Sequence, residues 1–183
     1  MKTFLTQYKL FFVFLTKFIL FYLLITGGYK LYLNSYDTDN NEVDGITTRL
    51  SEQVVGLLHY FEFDVTSIPL ESEPAMSVVF KGERICRIIE GCNAVSVMIL
   101  FAAFVFAFSS GFKKTSLFIL IGVTLIYLLN ITRIVILIPA LFYYPEYEEL
   151  LHDVIFPLFI YGVVFLLWII WVMKISAYGK VTQ

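Results

Sequence analysis

Cys92 opens one long apolar block, Arg133 interrupts a second, and His152 stands just before a third. A thiol near an imidazole makes a nucleophile with a proton shuttle. A guanidinium can stabilise the oxyanion of a tetrahedral intermediate. Together the three could attack a peptide carbonyl, release the amine with a proton from His152, and leave a thioester on Cys92. An incoming amine would resolve that thioester by transpeptidation, and water would resolve it by hydrolysis. Asn130 lies three residues before Arg133, so both project from one helix face. Asn93 follows Cys92 and can cap the helix that begins there.

Each residue also has a plainer reading. Cys92 could be inert, or could form a disulfide with Cys86 on an oxidising side of a membrane. A helix N-terminus favours the Cys92 thiolate, whereas Glu90 and a low dielectric oppose it. An arginine in a membrane helix costs about 2.5–3.5 kcal/mol on insertion scales, so Arg133 needs a partner or a wet cavity. It could equally snorkel or join two helices. His152 can exchange a proton near neutral pH, or it can be an interfacial residue with no chemistry. Asp153 beside it favours a helix N-terminus, but neighbours in an α-helix point apart, so it is not taken as an orienting partner. His59 competes for the histidine role and reads better as an interfacial residue on an outer helix.

The elements that would position these groups are set by composition. Of 183 residues, 59% are hydrophobic, with 19 Phe and 12 Tyr. Soluble domains reach only about 45–50% apolar even when glycine is counted. A bilayer span needs about 20 residues, and four blocks fit, at about 10–33, 94–111, 117–142 and 154–173. The expected fold class is an all-α polytopic membrane protein with four transmembrane helices, and the expected organisation is a single membrane domain over 1–183. All 15 acidic residues fall between the first and second blocks or between the third and fourth. Lys2, Lys9, Lys113, Lys114, Lys174 and Lys180 occupy the other flanks. Lysine near span ends favours the cytoplasm, which places both termini inside and the two acidic segments outside. The first block is too long for a signal-peptide core and lacks a small-residue cleavage site.

The outer segment, about 34–91, contains an amphipathic helix. Ile46, Leu50, Val54, Leu57 and Leu58 follow helical spacing, and Asp44 is its expected cap. Pro69 and Pro74 then break the chain. Two strands about Lys81-Gly82 are expected as a small hairpin that delivers the chain to Cys92. The two cysteines form neither a disulfide framework nor a zinc site, and no metal or cofactor is expected. The net charge of −2 comes with no concentrated basic face for nucleic acid.

Gly91-Cys92-Asn93-Ala94, Asn130-Ile131-Thr132-Arg133-Ile134 and Leu151-His152-Asp153 resemble the three motifs of the exosortase/archaeosortase family. The resemblance runs from about Arg87 to Gly162, with a short, single-core form of the gram-negative, F-type-like kind. It implies a membrane cysteine transpeptidase or protease with Cys92, Arg133 and His152 as catalytic residues and Asn130 beside the arginine. Its implied partners are exported proteins ending in a sorting signal (a short motif, an apolar helix and a basic tail) and the lipid bilayer. The acceptor nucleophile is left open. Its implied location is the bacterial inner membrane, with the active site facing the periplasm. Many members carry serine and glycine after the cysteine, where this chain has Asn93 and Ala94. Two other readings stand beside it. One is a non-enzymatic membrane scaffold or assembly factor. The other is a thiol-redox protein using Cys86 and Cys92, whose spacing is not C-x-x-C.

Overall fold

A computed structural model of the chain describes residues 8–37, 40–109 and 111–175. Lys2 and Lys180, used in the charge reading, lie outside the described residues, as do Thr38, Asp39 and Ser110. The apolar blocks form helices α1 (Lys9–Leu33), α3 (Val95–Ala107), α4 (Phe112–Tyr143) and α5 (Phe156–Ile170). The outer segment forms α2 (Gly45–Tyr60) and strands β1 (Val65–Pro69), β2 (Ala75–Phe80) and β3 (Glu83–Ile89). A single 3-10 turn, Glu90–Cys92, joins β3 to the segment before α3. Wider π turns extend α5 at both ends, over Leu150–Ile155 and Trp171–Ile175.

Among the described residues three helical stretches are long and apolar enough to cross a membrane: Phe11–Leu33, Phe112–Tyr143 and Leu150–Met173. The block expected as a span over 94–111 differs. Its helix, α3, has 13 residues and is about 20 Å long, short of the usual span length. The helix stops because Phe108 leaves helical dihedrals at φ −95 and ψ 34, and Gly111 turns the chain at φ 96. α3 packs between the longer helices. Phe14 of α1 packs edge-on against Phe104 and tilted against Phe108, and Phe21 stacks on Phe106, at centroid separations of 4.3–5.8 Å. Gly122 of α4 is buried directly against Phe101, and a Cβ built there would lie 2.2 Å from the ring. Phe101 is fully buried and cannot swing away. Gly122→Ala is therefore expected to cost about 1–3 kcal/mol by overpacking, read as a lower unfolding temperature in detergent.

Two cores divide the molecule. One lies among α3, α4 and α5 and contains Phe101, Val105, Ile126, Val164 and Trp171. The other joins Leu50, Val54 and Leu58 of α2 to Val78 and Phe80 of the sheet and to Ile134 and Ile138 of α4. α4 serves both. Its 32 residues run about 48 Å, well beyond the ~30 Å apolar layer of a bilayer. It passes through Pro139 without ending. Tyr127, Ile131, Ile134, Val135, Ile138 and Phe142 of α4 pack into the core formed with α2 and the sheet, so Arg133 lies within the part of α4 that this core covers.

The expected hairpin is present, with a third strand added. The antiparallel order is β1-β2-β3. Lys81 and Gly82 form its two-residue turn with φ 51 and 84, the pair of positive values that matches strand twist. β1 ends at Pro69, a residue tolerated at an edge because no ladder hydrogen bond is lost there. Asp44 caps α2 as expected, its Oδ1 accepting from Ile46 and Thr47 N–H at 3.0 Å each. The sheet turn is tied to the end of α4 by Lys81, whose Nζ donates to Tyr143 Oη at 2.7 Å.

Candidate active site

β3 ends three residues before Cys92, and the chain then passes into α3 through Asn93 and Ala94. The turn includes Ala94, which adopts a left-handed conformation at φ 61 and ψ 10. This is the position where the resembling motifs often carry glycine, the residue that adopts this conformation at least cost. Asn93 holds the turn in place. Its Oδ1 accepts from Val95 N–H at 2.9 Å, which braces the turn one residue before the N-cap; the N-cap itself is Ala94, where Asn93 was expected, and no side chain caps α3. Its Nδ2 donates to Tyr29 Oη at 3.0 Å and to Thr47 Oγ1 at 3.3 Å. Tyr29 in turn donates to Glu90 Oε1 at 2.7 Å. One buried amide thus ties α1, α2 and α3 together just beside Cys92, and Glu90 is engaged by a phenol. Tyr29 and Thr47 carry no signal in the sequence that marks them as part of the site. Tyr29 lies 64 residues from Asn93, and no local pattern marks such a pair.

Asn130 is almost fully buried. It donates from Nδ2 to the Cys92 carbonyl at 2.8 Å, fixing the height of the cysteine against α4. Arg133 is one turn further along the same face. Its Nε is buried without a hydrogen-bond partner, and its guanidinium carbon lies 5.9 Å from the Phe156 ring centroid. Among the described residues no carboxylate pairs with it. Arg133, Asn130, His152 and Asp153 line a cavity of about 310 Å³ together with Gly91 and Ala94. Val97, Pro157 and Ile160 supply its apolar walls.

Cys92 faces a second space on the other side of the 91–94 turn. This groove, about 530 Å³, runs between β3 and the Leu141, Glu148 and His152 side chains, and Cys92 lines it. His152 borders both spaces. The three sequence-selected groups therefore gather around one turn, with Cys92 in the groove, Arg133 in the cavity and His152 between them.

Asp153 requires a correction. Its Oδ1 lies 2.8 Å from His152 Nδ1, although neighbouring residues were expected to point apart. The expectation applies to a regular α-helix, whereas residues 150–155 form a wider π turn. A carboxylate only accepts, so this contact places the proton on Nδ1 and leaves Nε2 free to exchange one. Both side chains are well exposed, so the pair orients the ring and adds little stability.

His59 is excluded from the cluster. Its Nε2 lies 2.7 Å from the Val65 carbonyl, so that nitrogen must donate, and the ring ties α2 to β1. Cys86 is also a poor reactive group. Burial above all, with the nearby Cys92 and Glu148, pushes its thiol up to about 12. Both cysteines are free thiols. In a Cys92→Ala background, Cys86 is expected to resist iodoacetamide from pH 7 to 9, because it stays protonated well below its raised pKa. Mass spectrometry of the alkylated protein measures this, and rapid labelling at pH 7 would restore the redox reading.

No individual curated protein and no solved structure matches the chain. The family model described as Transmembrane exosortase (Exosortase_EpsH) matches it over residues 3–174. That match takes in the sheet, both cores and the turn that carries Cys92, and the chain belongs to the transmembrane exosortase family.

Proposed function

We propose that this exosortase-family protein is a cysteine transpeptidase or protease that cuts the C-terminal, membrane-anchored sorting signal of exported proteins. The observation that carries this reading is the gathering of Arg133, Asn130 and His152 on one cavity whose border is the Cys92 turn, with His152 also reaching the groove of Cys92. His152 Nε2 takes the thiol proton, and Cys92 Sγ attacks the scissile carbonyl. Arg133 stabilises the oxyanion. His152 returns the proton to the departing amine, which carries the signal's helix away, and the remaining acyl group is a thioester on Cys92. An amine acceptor then attacks that carbonyl and the thiolate leaves, or water does the same in hydrolysis.

The same reading sets the protein in the bacterial inner membrane. α3 makes a fourth, short crossing, and both termini lie in the cytoplasm. α2, the sheet and the Cys92 turn face the periplasm. The direction of the helices agrees with this arrangement. Tyr29 near the end of α1, Asn93 before α3, Asn130 late in α4 and His152 before α5 all meet at one level. The test is to follow processing of envelope proteins in cells carrying Cys92→Ala or Cys86→Ala. The reading requires unprocessed precursor in the first and normal processing in the second. Normal processing with Cys92→Ala leaves a scaffold, and loss with both leaves thiol redox chemistry.

A further inference from the structure

The groove that holds Cys92 is bounded on one side by an unpaired strand. β3 is an edge strand, hydrogen-bonded to β2 alone. Among the described residues no hydrogen bond is made to its other edge. Arg84, Ile85, Cys86 and Arg87 all line the groove. Successive residues of a regular strand point to opposite faces, so a groove touched by both Cys86 and Arg87 reaches the strand's free edge, while Leu70 and Ser77 extend it over one face of the sheet. Val78 pairs with Cys86 but Val79 pairs with Arg84, which leaves Ile85 as the extra residue of a bulge. Beyond the bulge, Cys86–Ile89 continue in regular register and lead within three residues to Cys92.

We propose that this edge receives the substrate as an added strand, over Cys86–Ile89 and parallel to β3, and so delivers the scissile bond to Cys92. The proposal rests on the sorting-signal reading above. The occupant is the extended segment just before the substrate's membrane helix. Main-chain hydrogen bonding gives affinity in such additions, and alternate side chains give selectivity. The direction follows from the two chains' destinations. On the topology proposed above, β3 leads through the Cys92 turn into α3 and so runs toward the membrane. The substrate also runs from the outer phase into a membrane helix, so the two strands point the same way. The substrate beyond the scissile bond would enter the cavity of Arg133, on the other side of the Cys92 turn. The bulge at Ile85 and the exposed Arg84 end the free edge, as bulges and charges do where strands must not pair indiscriminately. Addition is therefore confined to about four residues.

The experiment uses the full chain in lipid nanodiscs. The probe is a synthetic peptide covering the segment before the membrane helix of the precursor that accumulates with Cys92→Ala. Single N-methyl groups are placed in turn on the four amides before the cleavage point, and each peptide competes against processing of the precursor. The expected result is weaker competition, by about fivefold to tenfold for one lost hydrogen bond, at two alternate positions and little change at the other two. Amide exchange read by mass spectrometry should slow over Cys86–Ile89 when the unmodified peptide binds, and not over β1. Equal effects at all four positions, no effect at any, or protection of β1 instead would overturn the strand addition while leaving the cysteine chemistry intact. If no precursor accumulates with Cys92→Ala, the sorting-signal reading fails and this inference falls with it.

Discussion

Cys92→Ala is expected to lower the processing rate of a sorting signal by about 10⁴-fold or more, the scale of loss when a nucleophile working as a unit with its base is removed. The main-chain position of Cys92 does not depend on its sulfur. The Asn130 bond is made to its carbonyl, and the turn is held by Asn93. The variant should therefore fold, losing on the order of 1 kcal/mol from the contact of a half-buried side chain with the core formed by α2 and the sheet. Cys86→Ala makes a useful contrast. Cys86 packs against that same core, so its loss should lower stability by a similar amount and leave the rate within about twofold. A purified enzyme with its precursor in nanodiscs gives both rates, and thermal unfolding separates the two effects.

Arg133→Met should move activity and stability in opposite directions. The rate is expected to fall by about 10²–10³-fold, the usual loss for removing a group aimed at an oxyanion. Stability is expected to hold or rise, because methionine relieves a buried Nε that has no partner and a charge that is costly in this setting. An arginine kept only to join helices would behave otherwise. Its loss would lower the unfolding temperature and alter the rate in proportion. Arg133→Lys should recover the rate only in part, since lysine offers a compact point charge in place of a planar fork of donors.

Much of the fold is legible in the chain because its signals are local. α1 can be read from a long apolar run that a single Lys17 does not break, α2 from the spacing of Leu50, Val54 and Leu58 behind the Asp44 cap, and the β2–β3 turn from Lys81-Gly82. The extent of α3 and α4 was less accessible. Hydropathy continues past Ala107, but the helix ends there. Hydropathy also continues from Ile134 to Tyr143, where the apolar residues face a folded outer layer in addition to any lipid. A run of apolar letters does not say which neighbour it will meet. β1 was missed because Pro69 reads as a breaker and only Val65 of that strand is fully buried.

The candidate site divides in the same way. Cys92, Arg133, His152, Asn130 and Asn93 can be selected by type and by position relative to the apolar blocks. Their placement on two sides of one turn cannot, since it depends on the left-handed Ala94 and on Tyr29, Thr47 and Asn130 arriving from distant elements. The Asp153 contact was missed for a different reason. The rule applied to it assumes α-helical geometry, and a π turn intervenes there.

The acyl intermediate offers the most direct test of the central claim. Purified protein in nanodiscs is mixed with its precursor and quenched in acid during turnover, and the protein is then read by intact-mass and peptide mass spectrometry. A covalent adduct of the substrate's upstream part should appear on the Cys92 peptide and disappear with hydroxylamine, as a thioester does. It should persist in Cys86→Ala. An adduct on another residue, or precursor cleaved with Cys92 replaced by alanine, would contradict the account.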